Sequence, residues 1–424
     1  MSTTERAAVT GVTIASASDV AGDQAAWDKA VECLQHGLSD VQAIPLVYNK
    51  LTPPRTLDGV AAIIGAIYAD NYWANVKMDP ARLAAALAQT GLWDPSACLK
   101  AATLAFKTWR GLWVRANTAP PPLGAIPKSD PLMASPDVPS AGPQPLTRDA
   151  LLLNWPKVWS VQAGVGKNYA NARAQSVNLP VPITQARVRL FWAATSAGVP
   201  DPSQWIEMET DIPGDDVLQG FQPGPIQEGR KGATGSFVFS PPKAGHYCMT
   251  ALASTEFFKN PLPTGGGNWS INEWLRSNGA AGWCNLDVTG TVRGRLLFFN
   301  HDDRPERFEF EVHCHGLAEG TVVTLNAAEP GVSASVTASG PVQVLRSGPV
   351  TVPANFTGEL EVSARTPGDE PLPAGATVEV RTVWLVDEGH RHHADAVAVH
   401  GFARAAGEAA RVEMGSFTYL GPER

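Results

Sequence analysis

Lysine is missing from the last third of this 424-residue chain. The final one is Lys259, and from Gly290 onward there are 11 Arg, no Lys and 18 acidic residues, which carry −7 of the net charge of −8. That balance excludes a surface that binds nucleic acid by counterion release. Long apolar runs are also missing. Nothing approaches the ~20 residues of a spanning helix, and Met1-Ser-Thr-Thr-Glu-Arg6 has no apolar leader core. No membrane span is expected, and the expected location is the cytoplasm, or outside by a route without a cleaved signal peptide. The five cysteines form no CxxC pair, so buried reduced thiols are expected, with a Cys248–Cys284 bridge between two neighbouring strands as the alternative. GxSxG and HExxH are absent, and Gly164-Val-Gly-Lys167 fails the Walker pattern, with Val161 and Asn168 at its first and last positions. These absences point to a non-enzymatic protein without a cofactor.

Turn residues are plentiful, with 39 Gly and 35 Pro, as in β-rich folds. Helical signals come first. Asp23 and Thr56 stand at N-cap positions, and Asp79-Pro80 and Asp94-Pro95 each pair a capping carboxylate with an N1 proline. The stretch after Pro95 spaces Leu99, Ala102, Phe106, Trp109 and Trp113 by threes and fours, which predicts one helix through all five. Residues 117–147 hold nine prolines without hydrophobic period, a spacer or a strap. Beyond Leu151 the period becomes two, as in Val188, Leu190 and Trp192. The expected fold class is multidomain α+β. A flexible arm (1–22), a helical bundle (23–117) and a Pro-rich linker (118–147) precede two antiparallel β-sandwich, immunoglobulin-like domains (148–288 and 289–424). The candidate strands of the last domain include 307–315, 342–345, 377–386, 394–402 and 410–420.

Three segments of the first β region go together: Arg187-Val-Arg-Leu-Phe-Trp-Ala193, Gly245-His-Tyr-Cys-Met-Thr-Ala251, and Ser277 through Val288. They resemble the bacterial immunoglobulin-like modules of the CARDB-like type over roughly residues 148–288. The resemblance implies a sandwich used as spacer or binding platform, with Trp192 in its core and the Tyr247 hydroxyl on backbone at a sheet corner. It implies no reaction and no site residue.

Histidine is the sharpest local feature, because seven of nine fall after residue 300. On one strand Glu309, Glu311, His313 and His315 share the face opposite Phe308, Phe310, Val312 and Cys314. His313 and His315, met by the loop His390, His392 and His393, would offer imidazoles to Zn, Cu or Ni, while a solvated titratable face is the competing reading. Asp211, Asp215 and Asp216 form an acidic turn, either a Ca²⁺ cradle or a plain turn. Trp205, Trp269 and Trp274 lie in or beside long loops, where rings stack on sugars, anchor a partner or plug a core. The reading these features favour is a structural or protein-interaction protein. Its tryptophan-rich head would dock to a partner or a second copy, and its β modules would serve as platform. A glycan-binding protein and a metal-binding protein or metalloenzyme are the alternatives.

Overall fold

The computed structural model describes residues 23–118, 123–129, 132–194, 202–243, 245–263, 270–289, 291–400 and 409–421; the expected arm and Trp269 lie outside them. In the head, local capping sets the helix starts. Helix α1 (Gln24–Gln35) begins after Asp23, whose carboxylate accepts from Thr52 N–H (2.7 Å) instead of capping its own helix. Ser39 and Gln42 close a capping box on α2 (Asp40–Tyr48), and Thr56 caps α3 (Leu57–Ile67) through Gly59 N–H. A short α4 (Ala69–Tyr72) leads into the hairpin β1 (Trp73–Ala74) and β2 (Lys77–Met78). Asp79 and Asp94 cap α5 (Pro80–Gln89) and α6 (Pro95–Ala105), as the Asp-Pro pairs predict.

Helix α6 stops eight residues short of Trp113, so one expectation needs correcting. Trp109 N–H donates to Gly124 O and Ile126 N–H to Lys107 O, and the chain then enters β3 (Gly111–Trp113). Trp109 and Trp113 are therefore not on a helix; they are the first residues of the β region.

That region contains three sheets and the short helices α7 (Arg148–Leu153) and α8 (Ser270–Ser277). In the first, β6 (Arg173–Val177) lies between β3 and β10 (Lys231–Ala233). The second runs β4 (Ser140–Gly142), β5 (Asn168–Ala170), β11 (Phe237–Phe239), β9 (Glu209–Thr210). The third runs β13 (Ala281–Cys284), β12 (Tyr247–Ser254), β7 (Arg187–Ala194), β8 (Ile206–Glu207), all antiparallel. Tyr247 donates to Lys243 O (2.7 Å), the backbone bond expected of a tyrosine at this corner. Met249 stands opposite Cys284, so Cys248 faces the other side of the sheet, and none of the five cysteines forms a disulfide.

One apolar core runs from Trp27 of α1 through Trp113 to Trp283. Trp73 and Trp109 both set their edges on Phe258, 5.2 and 5.5 Å between centroids. Gly279 makes this seam possible, since a Cβ there would stand 2.2 Å from the Trp109 indole. The head is thus part of the β body rather than a separate bundle. The described part of 118–147 is a strap and no spacer. Lys128 N–H donates to Arg276 O, Ser135 N–H to Trp283 O, and Asn285 N–H to Met133 O, while Leu132, Met133 and Val138 are buried. Proline removes donors that an extended strap would otherwise leave unpaired, and the remaining amides find acceptors on the strands.

The C-terminal region has its own core between two facing sheets. One is β15 (Val292–Asn300), β21 (Phe356–Arg365), β17 (Val322–Ala327) and β18 (Val332–Thr337). The other is β14 (Leu286–Val288), β23 (Ala410–Leu420), β22 (Thr377–Val386), β16 (Glu306–His315) and β19 (Val342–Arg346), with β20 (Val350–Val352) also on β16. The expected strand 394–402 is instead helix α9 (His393–His400) over its described part. Its alternating Ala and Val fit either period over so short a run. Strand β14 pairs in parallel with β23 and ties the two β regions together. No described helix is long and apolar enough to cross a membrane.

Candidate functional site

Strand β16 positions most of the chemistry that the sequence singles out. Phe308, Phe310, Val312 and Cys314 point into the core, which puts Glu309, Glu311, His313 and His315 on the outer face. Glu311 is the hub of that face. It accepts from Arg346 Nε (2.8 Å), Arg411 Nη2 (2.6 Å) and His313 Nε2 (2.7 Å). The His313 bond, with Arg346 and Arg411 beside it, outweighs burial and holds the Glu311 carboxyl down at about 2. Arg411 also donates to Glu309. On the adjoining strands Arg381 joins Glu379 (2.6 Å) to Glu413 (3.2 Å), and Arg276 of α8 stands 3.6 Å from Glu413. The carboxylates of this face are therefore neutralised by arginines from four elements.

The histidine loop sits at the opposite end of β16. His390 donates from Nε2 to Glu306 Oε1 (2.9 Å) and accepts the His392 backbone N–H at Nδ1 (3.1 Å). Trp384 Nε1 donates to the other Glu306 oxygen (2.8 Å). Arg391 binds Asp302 and Asp303, and His392 stands 3.9 Å from Asp302. His393 opens α9 and donates its N–H to His390 O.

This geometry corrects the metal reading of His313, His315, His390, His392 and His393. Glu306 and His313 are seven residues apart on one strand, roughly 23 Å at the usual rise. Both His390 ring nitrogens are already engaged, so neither offers a lone pair. Among the described residues no three His, Cys, Asp or Glu side chains are placed to hold a metal ion. The acidic turn separates in the same way: Asp211 pairs with Lys167, Asp215 with Arg148 and Asp216 with Arg187.

The tryptophans need a second correction. Trp274 is 0 % exposed and Trp205 8 %, and Trp205 packs its ring against Trp274 (6.0 Å) and Trp283 (5.1 Å). Neither shows a face to a sugar or a partner. They plug the core behind β13. Of the five head tryptophans, Trp27, Trp73, Trp109 and Trp113 are buried and Trp93 is half-buried, edge-on to Tyr48 (5.1 Å), which removes the exposed aromatic stripe expected of a docking head.

One surface feature escaped the sequence reading. Strand β19 ends its sheet, and among the described residues nothing pairs with its outer edge. Val342 and Val344 stand on it 55 % and 43 % exposed, opposite His315 and His313. Their alternation marks a strand, but an edge is recognisable only once the strand order is known.

No family model matches the chain, and no curated protein matches it. Among solved structures it is similar to the CupB6 tip adhesin from Pseudomonas aeruginosa, at 10% identity over 68% of this chain and 96% of that one. The TM-score is 0.15, at which the likeness carries no argument.

Proposed function

We propose that this chain is a non-enzymatic structural protein acting by protein–protein contact, with its β-rich body as platform and the open edge of β19 as contact. The observation that carries the reading is the pair Val342 and Val344, exposed on an edge strand that nothing described covers. Edges of sheets are ordinarily blunted by charge, by proline or by a covering element, because their unpaired N–H and C=O groups invite another strand. The partner that fits without further components is a second copy of the chain. Antiparallel pairing about Val344 sets Val344 against its own copy and Val342 against Arg346, a self-complementary two-fold contact.

The finer architecture belongs to the same proposal. The two facing C-terminal sheets form an immunoglobulin-like sandwich, and the region around β7, β12 and β13 is a CARDB-like module. The Tyr247 corner bond and the shared core of the facing sheets support it. The head acts as a brace on this body, since most of its aromatic side chains are buried in the shared core.

Sedimentation velocity of the full chain tests the reading. The wild type should show a concentration-dependent dimer, and Val344→Lys should run as a monomer with unchanged circular dichroism. A wild type that stays monomeric to about 100 μM, or a Val344→Lys dimer, overturns it.

A further inference from the structure

A cleft of about 300 Å³ opens along the seam between the head and the β body, independent of the β19 edge. That volume is at the lower end of small-molecule sites. One wall is made by Ala62, Ala66 and Ala69, which recur at helical spacing along α3 and α4. Phe106, just past the end of α6, Ile126 of the strap and Phe258 of the β body face it. Larger residues on the alanine side would fill the space.

The charge of the cleft is one-sided. Lys77, Lys107 and Arg110 line it, and no carboxylate does. Lys77 leans toward Glu273 (3.4 Å), but no described carboxylate forms an ion pair with Lys107 or Arg110. Arg110 is the informative residue. Its Nη1 donates to Ala105 O (2.8 Å) and Thr108 O (3.0 Å), which fixes the guanidinium plane. Those two bonds use both Nη1 hydrogens. The Nε and Nη2 N–H groups, the edge that grips a carboxylate in bidentate fashion, have no partner among the described residues. Burial holds this guanidinium below its ordinary basicity, at about 10, with no neighbouring charge to offset it. By exposed surface Arg110 is half-buried and without a counterion, and an anion arriving in the cleft offsets the cost of this partial desolvation.

We propose that the cleft binds a small amphipathic carboxylate, with its carboxylate on the free edge of Arg110 beside Lys107 and its apolar body between the alanine wall and Phe258. An apolar body of roughly eight carbons suits a site of this size. The apolar part supplies burial, and the cations select the acid over the neutral analogue.

Calorimetric titration of the full chain with octanoate, octanol and acetate tests this, with the change in total tryptophan fluorescence as second readout. Octanoate should bind saturably at one site, octanol about ten-fold more weakly, and acetate not measurably. Arg110→Gln should weaken octanoate about ten-fold or more, and Ala66→Leu should abolish binding by filling the cleft. Should Arg110→Gln fail to fold because Ala105 O and Thr108 O lose their donor, Lys107→Glu, on an exposed side chain, decides instead; it too should cost about ten-fold. Octanol binding as tightly as octanoate, no octanoate binding at millimolar concentration, or a Lys107→Glu chain that binds like wild type overturns the proposal. The dimer test on Val344→Lys is unaffected by any of these outcomes.

Discussion

Lys128 is a buried ammonium held in the strap, and replacing it should change the protein's stability in a pH-dependent way. Its Nζ donates to Val114 O (2.8 Å) and Ala281 O (2.6 Å) and lies 5.0 Å from the Trp113 ring centroid. Burial pulls its pKa down to about 7, against a smaller upward pull from Asp137. The unfolded chain keeps that proton up to about 10.4. Between these values the unfolded state binds more protons than the folded one, so stability rises with pH. At 1.36 kcal/mol per unit, moving from pH 6 to pH 9 should add about 2–3 kcal/mol from this one group. Lys128→Met removes the titration and leaves two carbonyls unpaired, at about 1–3 kcal/mol each. It also removes the cost of a buried charge, so at pH 6 the two effects largely offset. At pH 9 the wild type bears only the ~2 kcal/mol of giving up a proton that its unfolded chain still holds, so the variant should fall behind wild type by about 2–3 kcal/mol more than at pH 6. Urea unfolding of both proteins at the two pH values, followed by tryptophan fluorescence, measures this; all other titrations cancel in the difference. A wild-type-minus-variant difference that is the same at both values would show that Lys128 keeps its proton when folded, and the reasoning would be refuted.

Two further outcomes follow from the geometry. All five cysteines should react with a maleimide after denaturation without reductant, because Cys248 and Cys284 face opposite sides of their sheet; three reactive thiols would contradict that register. The Glu311 carboxyl is held at about 2 in the fold and titrates near 4.3 when unfolded, so its stabilisation is complete above the latter and is lost as pH falls toward the former. Glu311→Gln should flatten the acid-unfolding profile between those values, and profiles that stay parallel would deny Glu311 its role as hub.

Local chemistry was legible in the sequence and long-range pairing was not. Thr56, Asp79 and Asp94 satisfy amides two or three residues away, so their caps can be read without knowing the fold. The alternation of β7 reports the face covered at Val188 and Leu190, but not that Phe191 and Ala193 on the opposite face are buried as well. The run through Trp109 and Trp113 misleads because those rings answer to Phe258 and to the Lys128 ammonium, not to a helix face. Proline density in 118–147 excludes helix, yet says nothing about whether the extended chain lies on a neighbour. The histidines are conspicuous by count, but their partners are Glu306 and Glu311 on one strand, and that strand keeps the two groups apart. Glu311, the hub, draws on Arg346 and Arg411 from distant strands, a choice that no spacing encodes.

The parallel pairing of β14 with β23 also sets a clock on synthesis. Leu286 meets Thr418, a residue made on the order of a hundred positions later, and Thr418 N–H donates to Asn285 O across the same junction. At roughly 5–20 residues per second, the ribosome leaves β14 waiting about ten seconds for its partner. The head, the strap and the first three sheets need nothing from β23 to complete their ladders, so they are free to form during that wait. The nascent chain would spend the interval as a finished front half trailing an unpaired strand, and the arrival of β23 both closes its own sheet and locks the front half to the back.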